Sequence, residues 1–320
     1  MSASHSGSAP SALGLVRLSR RPLFPPGGKD LYRQIAILTD MGEGDEVLVA
    51  SCGRGITLNY FAREYGVHGS GVDEDQALID ATEFGLTDGQ VRSRVQLQQA
   101  EMDDLPYRDG VFDVVVGELG LTSSVCPDAA IQELTRVLKP RGSMVLVQLV
   151  WKAPVDAERR ARLSSHLGAR PVMLSELKRM LQSAGVVRMH TEAWSDEETA
   201  SRSSARKPFP DFADLFGWGE KLAILRRARR RWGWRGALTA LVWQAEAHRL
   251  LTKERVLGLD LIVGRRSTES IVQSKQEGQE IADLPPESPA EAADDGEAST
   301  DVRPEGQTLG LPLFARGEER

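Results

Sequence analysis

From residue 46 onward, short apolar runs alternate with stretches whose apolar positions recur every three to four residues. "EVLVAS" (46–51) reads as a buried strand and "ITLNYFAREYG" (56–66) as a helix closing on Gly66. A short strand in "HGSGVDED" ends at Asp73, "DQALIDATEFGL" (75–86) is helical, and "RVQLQQAEM" (94–102) is a third strand. "GVFDVVVGEL" (110–119) supplies a fourth strand. The helix "DAAIQELTRVL" (128–138) follows, and the turn "KPRG" leads into a fifth strand, "SMVLVQLVW" (143–151). Upstream, Asp30 can cap a helix carrying Leu31, Ile35, Leu38 and Met41 at helical spacing. Downstream come the helix "LSELKRMLQSAG" (174–185), the strand "VVRMHTEAW" (186–194), a long departure over 195–255 and a last strand, "VLGLDLIVG" (256–264). Strands alternating with helices at this pace predict an α/β fold with a doubly wound, mainly parallel seven-stranded sheet.

Composition sets the limits of that domain. Residues 1–29 are Ser-, Gly- and Pro-containing and read as a disordered leader, 30–266 as the folded domain, and 267–320 as a disordered tail. The formal charge of −6 is unevenly spread, because the tail alone holds 13 acidic and 4 basic residues. The rest of the chain is therefore mildly basic. Two cysteines, Cys52 and Cys126, cannot build a disulfide framework or a cysteine-rich zinc site, and without a His/Cys cluster no metal is expected. There is no run long and apolar enough to span a bilayer and no sustained secretory-type apolar core at the N-terminus, so a cytoplasmic location is expected.

Four features fall at the C-terminal ends of strands, where ligands bind in such sheets. In Ser51-Cys52-Gly53-Arg54-Gly55, glycines let backbone approach a ligand, and the next helix offers free N–H groups to an anion. The same residues also suit a plain strand–helix turn. Asp73 can accept hydrogen bonds from both hydroxyls of a ribose, or cap the following helix. Glu101 and Met102 have the properties needed to receive an adenine amino group and cover its ring, though an acidic solvated loop would look the same. Gly117-Glu118 leaves strand four at the same end.

In combination, "VLVASCGRG", "GVDED", "AEMDDLPYRDGVFDVV" and "ELTRVLKPRG" resemble the class I S-adenosylmethionine-dependent methyltransferases, particularly the group that includes quinone methyltransferases. The resemblance covers about residues 30–194, with 256–266 as the last strand. It implies a Rossmann-like fold and S-adenosyl-L-methionine as cofactor. Ser51, Gly53 and Gly55 would line the methionine end, Asp73 hold the ribose, Glu101 and Met102 meet the adenine, and Glu118 lie near the sulfonium and substrate. Glu118 is the candidate catalytic base, with His190 as the weaker alternative. Cys52 and Cys126 read as small buried thiols before they read as a catalytic pair. Two positions depart from the family: Val49 stands where an acid usually helps hold the cofactor's amino group, and Ser51 stands for the first motif glycine. Losing a hydrogen bond to a charged group weakens binding by about 1.5–3 kcal/mol, unless Glu118 or a backbone carbonyl substitutes.

The segment 212–251 is the least generic. It sets Lys221, Arg226, Arg227, Arg229, Arg230, Arg231 and Arg235 among four tryptophans, and two helices separated near "WGWRG" fit its pattern. As an insertion before the last strand it can be a helical hairpin with a solvated Arg face, a lid over an apolar acceptor, a membrane-surface element or, last in order, a nucleic-acid surface. The expected partner is a small-molecule acceptor, methylated at oxygen or carbon. A degenerate methyltransferase-like binding module acting through 212–251 is the alternative, and a nicotinamide dehydrogenase ranks third because the third Rossmann glycine is missing. Neither the acceptor nor the oligomeric state follows from these residues.

Overall fold

The computed structural model describes residues 9–19, 27–86, 88–122, 126–194 and 216–268. Five strands pair in parallel: β1 (Glu46–Ala50), β2 (His68–Asp73), β3 (Val95–Gln99), β4 (Phe112–Glu118) and β5 (Leu138–Trp151), in the spatial order β3-β2-β1-β4-β5. The two-residue β6 (Val172–Met173) pairs with the end of β5. Beyond β5, β8 (Leu257–Arg266) runs antiparallel and pairs in turn with β7 (Val186–Ala193) at the sheet edge. The seven expected strands form the continuous path, and β6 is an eighth that the pattern did not predict.

Residues of odd and even number in β1 and β4 face opposite sides of the sheet, as the pleat requires. Val47, Val49, Val114 and Val116 pack under α2 (Gly28–Thr39) and α3 (Ile56–Tyr65). Leu48, Ala50 and Val115 pack under α6 (Pro127–Val137) and α8 (Leu174–Ser183). A sheet covered on both faces explains why its strands read as unbroken apolar runs. The helices α4 (Gln76–Gly85) and α5 (Gly89–Arg92) flank β2 and β3, and Asp75 and Asp88 are their N-caps.

Half of the family-like motif residues serve this scaffold. Glu133 Oε1 accepts from the Leu105 amide at 3.0 Å and from Arg136, whose other arm reaches Asp109 at 2.6 Å. The "LPYRD" loop is thereby pinned to α6. Asp113 accepts from Lys139 at 2.8 Å and from the Glu46 amide at 3.0 Å, which ties the starts of β1 and β4 to the "LKPRG" segment. That segment lies within the bounds of β5, where Arg141 takes a φ of 66° and the pairing register shifts between Phe112 and Val114.

Three expectations need correction. The leader is not wholly without structure: Ala12–Arg17 form α1, with the Ser11 hydroxyl accepting from the Gly14 amide at 3.1 Å. Leu15 is fully buried against Phe216, Ile224, Ala228 and Ala237, so α1 is held by tertiary docking that a six-residue helix does not reveal on its own. The helix α7 (Ala157–Leu167) was also unread, because only Leu163 and Leu167 are buried and the other positions are small, polar or charged. Third, Asp73 is not a helix cap, since Asp75 takes that role.

The described part of the insertion is helical. α9 (Trp218–Thr252) is two helical arms joined at Gly233, whose φ of 74° and ψ of 179° break the helix inside "WGWRG". The Leu250 side chain joins the main core, while Ile224, Ala228, Ala237 and Ala240 form a satellite core with α1. Residues 1–8 and 20–26 of the leader, 212–215 of the insertion and 269–320 of the tail lie outside the described residues.

Candidate active site at the β1–β4 switch point

The strand order reverses between β1 and β4, and in doubly wound sheets the crevice beyond the strand ends at such a reversal holds the ligand. Gly117 pairs with Ala50, so the β1 exit (Ser51–Gly55) and the β4 exit (Glu118–Leu121) open side by side.

The β1 exit is built from left-handed residues. Ser51, Gly53 and Gly55 have φ of 57°, 54° and 62°, which turn the chain abruptly from strand into α3. Their reasons differ. A Cβ on Gly55 would strike Thr82, whereas a Cβ on Gly53 would meet nothing within 4 Å and would point into open space. Ser51 tolerates the conformation as a small polar residue, and Gly120 closes against it and against Met102 with no room for a side chain of its own. No side chain caps α3, so the N–H groups of its first turn remain available to an anionic group, aided by the helix dipole.

Asp73, only 8% exposed, ends β2 beside this turn. Its two oxygens accept from the amides of Gly53 at 2.9 Å and Asp75 at 3.1 Å, which fixes the carboxylate and leaves lone pairs for further donors. The backbone carbonyl of Asp73 accepts from the Ala100 amide, so Glu101 follows one residue beyond it. Glu101 is exposed, and Met102 is half-buried against the β1–β4 side of the crevice.

Glu118 is buried on the same sheet face as Val49, one strand over and two residues further along. Tyr32 from α2 and Thr57 from α3 direct hydroxyls at its carboxyl. Burial pushes its pKa up to about 7, the two hydroxyls pull it down, and the negative Asp73 adds to the rise. Its Oε1 is buried, and neither hydroxyl reaches hydrogen-bonding geometry with that oxygen. A buried acceptor in that state is costly unless a donor arrives. An ammonium group is such a donor, and Glu118 thus stands where an acid at Val49 is missing. The residues present therefore fit a nucleoside carrying a zwitterionic amino-acid end: free N–H groups for the carboxylate, Glu118 for the ammonium and Asp73 for the ribose.

The other candidates separate clearly. Cys52 is buried, and desolvation together with the Asp73 and Glu118 charges pushes its thiol pKa up, so it is an inert thiol beneath Gly71. Cys126 is exposed at the start of α6. His190 does not belong to the site. It lies on β7, separated from β4 by β5 and β8, and its Nε2 sits 3.0 Å from Glu192. Tyr32 and Thr57 escaped the sequence reading, although a tyrosine inside the Leu31–Ile35 apolar stripe was a signal. So did Gln148, which donates to the Gly117 carbonyl at 3.1 Å, and the Lys152–Asp260 ion pair at 2.5 Å on the strand beside it. An aspartate in the middle of "LGLDLIVG" marked that pair.

Comparison with known proteins bears on the family and the fold. Residues 48–146 match the family described as "Methyltransferase domain". The demethylmenaquinone methyltransferase of Lactobacillus johnsonii is 31% identical over 107 residues, covering 33% of this chain and 44% of that protein. The matched stretches span about half the length of such curated relatives. Among solved structures, the [4+2]-cyclase SpnF superposes with a TM-score of 0.59 at 23% identity over 75% of this chain and 81% of that one. Phosphoethanolamine N-methyltransferase 2 of Haemonchus contortus, in complex with S-adenosyl-L-methionine, gives 0.57 at 14% identity over 81% and 58%. At these identities the structural matches establish the fold.

Proposed function

Because the chain carries a class I S-adenosylmethionine-dependent methyltransferase domain, we propose that it transfers a methyl group to a small apolar or amphipathic acceptor, at oxygen or carbon. The observation that carries the proposal is the buried, unpartnered Glu118 oxygen, on the same crevice as the fixed Asp73 carboxylate and the uncapped α3. When bound, the cofactor supplies an electrophilic methyl carbon on a sulfonium. The chain's own residues bind, orient and exclude water. Glu118 holds the ammonium, the α3 N-terminus the carboxylate, Asp73 the ribose, and Glu101 and Met102 the adenine.

Assigning Glu118 to the ammonium removes it from acid–base work, since one carboxylate cannot hold a cation and take the acceptor's proton together. The reaction then suits an acceptor that ionises readily, such as a phenol or a quinol, for which no strong base is required. The relative named a demethylmenaquinone methyltransferase takes, by its name, a quinone, the oxidised counterpart of a quinol. We place the protein in the cytoplasm: its two cysteines are free, and no described helix is long and apolar enough to cross a membrane.

A second reading is favoured by Val49 and by the fold match to a protein named as a cyclase, because a shared fold does not fix the chemistry. In that reading the site binds the cofactor without transferring its methyl. Incubation with methyl-labelled S-adenosylmethionine and a panel of quinols and phenols distinguishes the two. Transfer is expected as label in the organic phase with matching S-adenosylhomocysteine release. Saturable cofactor binding with no product from any acceptor would favour the second reading.

A further inference from the structure

We propose that the outer face of α9 is a docking surface for an anionic lipid bilayer, an assignment that stands apart from the transfer chemistry. Each arm exposes an apolar stripe at helical spacing. Trp218 is 86% exposed and Leu222 67% on the first arm, and Trp234, Leu238 and Val242 are 62%, 50% and 66% exposed on the second. The opposite face is used up: Ile224, Ala228, Ala237 and Ala240 pack on α1. Large apolar groups concentrated on the free side of a helix mark an interaction surface rather than a solvated one.

Charge selects the occupant. Arg226, Arg229, Arg230 and Arg235 are exposed along the same helix, while Arg249 pairs with Glu254 at 2.9 Å. The two acids of α9 are both engaged elsewhere, Glu220 with Arg227 at 3.3 Å and with Ser19, and Glu246 with His166 at 2.6 Å. Arg226, Arg229, Arg230 and Arg235 thus stand on the exposed face with neither acid of α9 left to offset them. Arg226, Arg227 and Arg230 line a shallow cavity of about 270 Å³, and Arg227 is held at it by the Leu18 carbonyl at 2.7 Å. A group of guanidiniums around such a hollow suits a phosphate. Cations also sit directly over the exposed indoles, Lys221 over Trp218 and Arg229 over Trp234, at 5.1 and 5.6 Å from the ring centres. Arginine beside tryptophan on an amphipathic helix suits the headgroup–acyl boundary, where phosphates meet hydrocarbon. A second copy of the same face fits poorly, because a two-fold contact would set arginines against arginines.

The test is flotation of the full chain with vesicles of phosphatidylcholine alone and of phosphatidylcholine mixed with phosphatidylglycerol, with tryptophan emission recorded. Binding to the anionic vesicles only, a blue-shifted emission and weakening with salt are expected. R226E/R230E should lower partitioning about tenfold or more, since each basic residue near an anionic surface contributes to binding. W218A/L222A should abolish most of the emission shift. Both pairs are surface changes, and unchanged S-adenosylhomocysteine affinity verifies that the variants fold. Partitioning of the arginine variant equal to wild type would overturn the proposal. So would no binding to either vesicle, capture of an oligonucleotide with none of vesicles, or self-association that W218A/L222A abolishes.

Discussion

Replacing Glu118 with glutamine separates a binding group from a structural one. The shift of the Glu118 pKa from 4.5 to about 7 corresponds to about 3 kcal/mol of cost in holding the ionised form in the empty site. The sign follows from linkage. The folded chain holds this proton more tightly than the unfolded one, so the stabilising contribution is complete below about pH 4.5 and is lost as pH rises to about 7. Above that value the folded protein carries the whole cost, which Glu118→Gln removes. The unliganded variant should therefore melt no lower than wild type at pH 8. Cofactor binding should move the other way. A charge-assisted hydrogen bond is worth about 1.5–3 kcal/mol, roughly a 10- to 150-fold loss in affinity. In wild type, affinity for S-adenosylhomocysteine should rise roughly fivefold from pH 6 to pH 7 as the free carboxyl ionises, and this slope should vanish in the variant. Calorimetric titration and thermal melting at each pH measure all three quantities. Wild-type affinity and an unaltered pH slope in Glu118→Gln would refute the assignment of Glu118 to the ammonium.

Other substitutions test the surrounding structure. Gly53→Ala and Gly55→Ala share a positive φ but should differ: Gly53→Ala should cost only about 1–2 kcal/mol of stability yet lose cofactor affinity, because its Cβ enters open space. Gly55→Ala should lower the melting temperature more, through its collision with Thr82, and equal melting of the two would contradict this. Leu15→Ala should destabilise the fold by about 2–3 kcal/mol and leave titrated cofactor affinity unchanged, because α1 serves α9 and not the crevice. Arg136 holds the Glu133 pKa below its ordinary value, so its contribution is present above the unfolded pKa and disappears in acid. With Asp109 largely exposed, Glu133→Gln should cost only about 1 kcal/mol at neutral pH, and the difference from wild type should shrink in melts as the pH falls below the ordinary carboxylate range.

Much of this was legible because the sheet is buried on both faces. β1, β4 and β5 announce themselves as apolar runs, and the glycines of the β1 exit and Asp73 punctuate them at the strand ends. What stayed hidden depends on contacts distant in sequence. α1 is too short to stand alone and exists through its packing on α9, more than 200 residues away in the chain. α7 offers only two buried leucines in eleven residues and so lacks a readable stripe. Glu118 stood out as a candidate, either as a base or as the substitute for the acid missing at Val49, and its neighbours in sequence could not choose between the two. The proposed ammonium role rests on Tyr32 and Thr57 from two other helices and on lying beside Val49 across the β1–β4 pair. His190 misled because a histidine in a strand carries no mark of whether the strand is central or at the edge. The "FD" and "LKP" residues drew attention as motif parts, yet Asp113 and Lys139 form a scaffold ion pair.

The most direct measurement is calorimetric titration of the full chain with S-adenosylmethionine and S-adenosylhomocysteine, beside Asp73→Ala. Asp73 fixes the β1 turn through the Gly53 amide and is the residue proposed to receive the ribose. One-to-one saturable binding by wild type, lost in a variant that still melts cooperatively, is the expected result. Absence of binding by the folded wild-type protein, or unchanged affinity in Asp73→Ala, would contradict a cofactor site at the β1–β4 crevice.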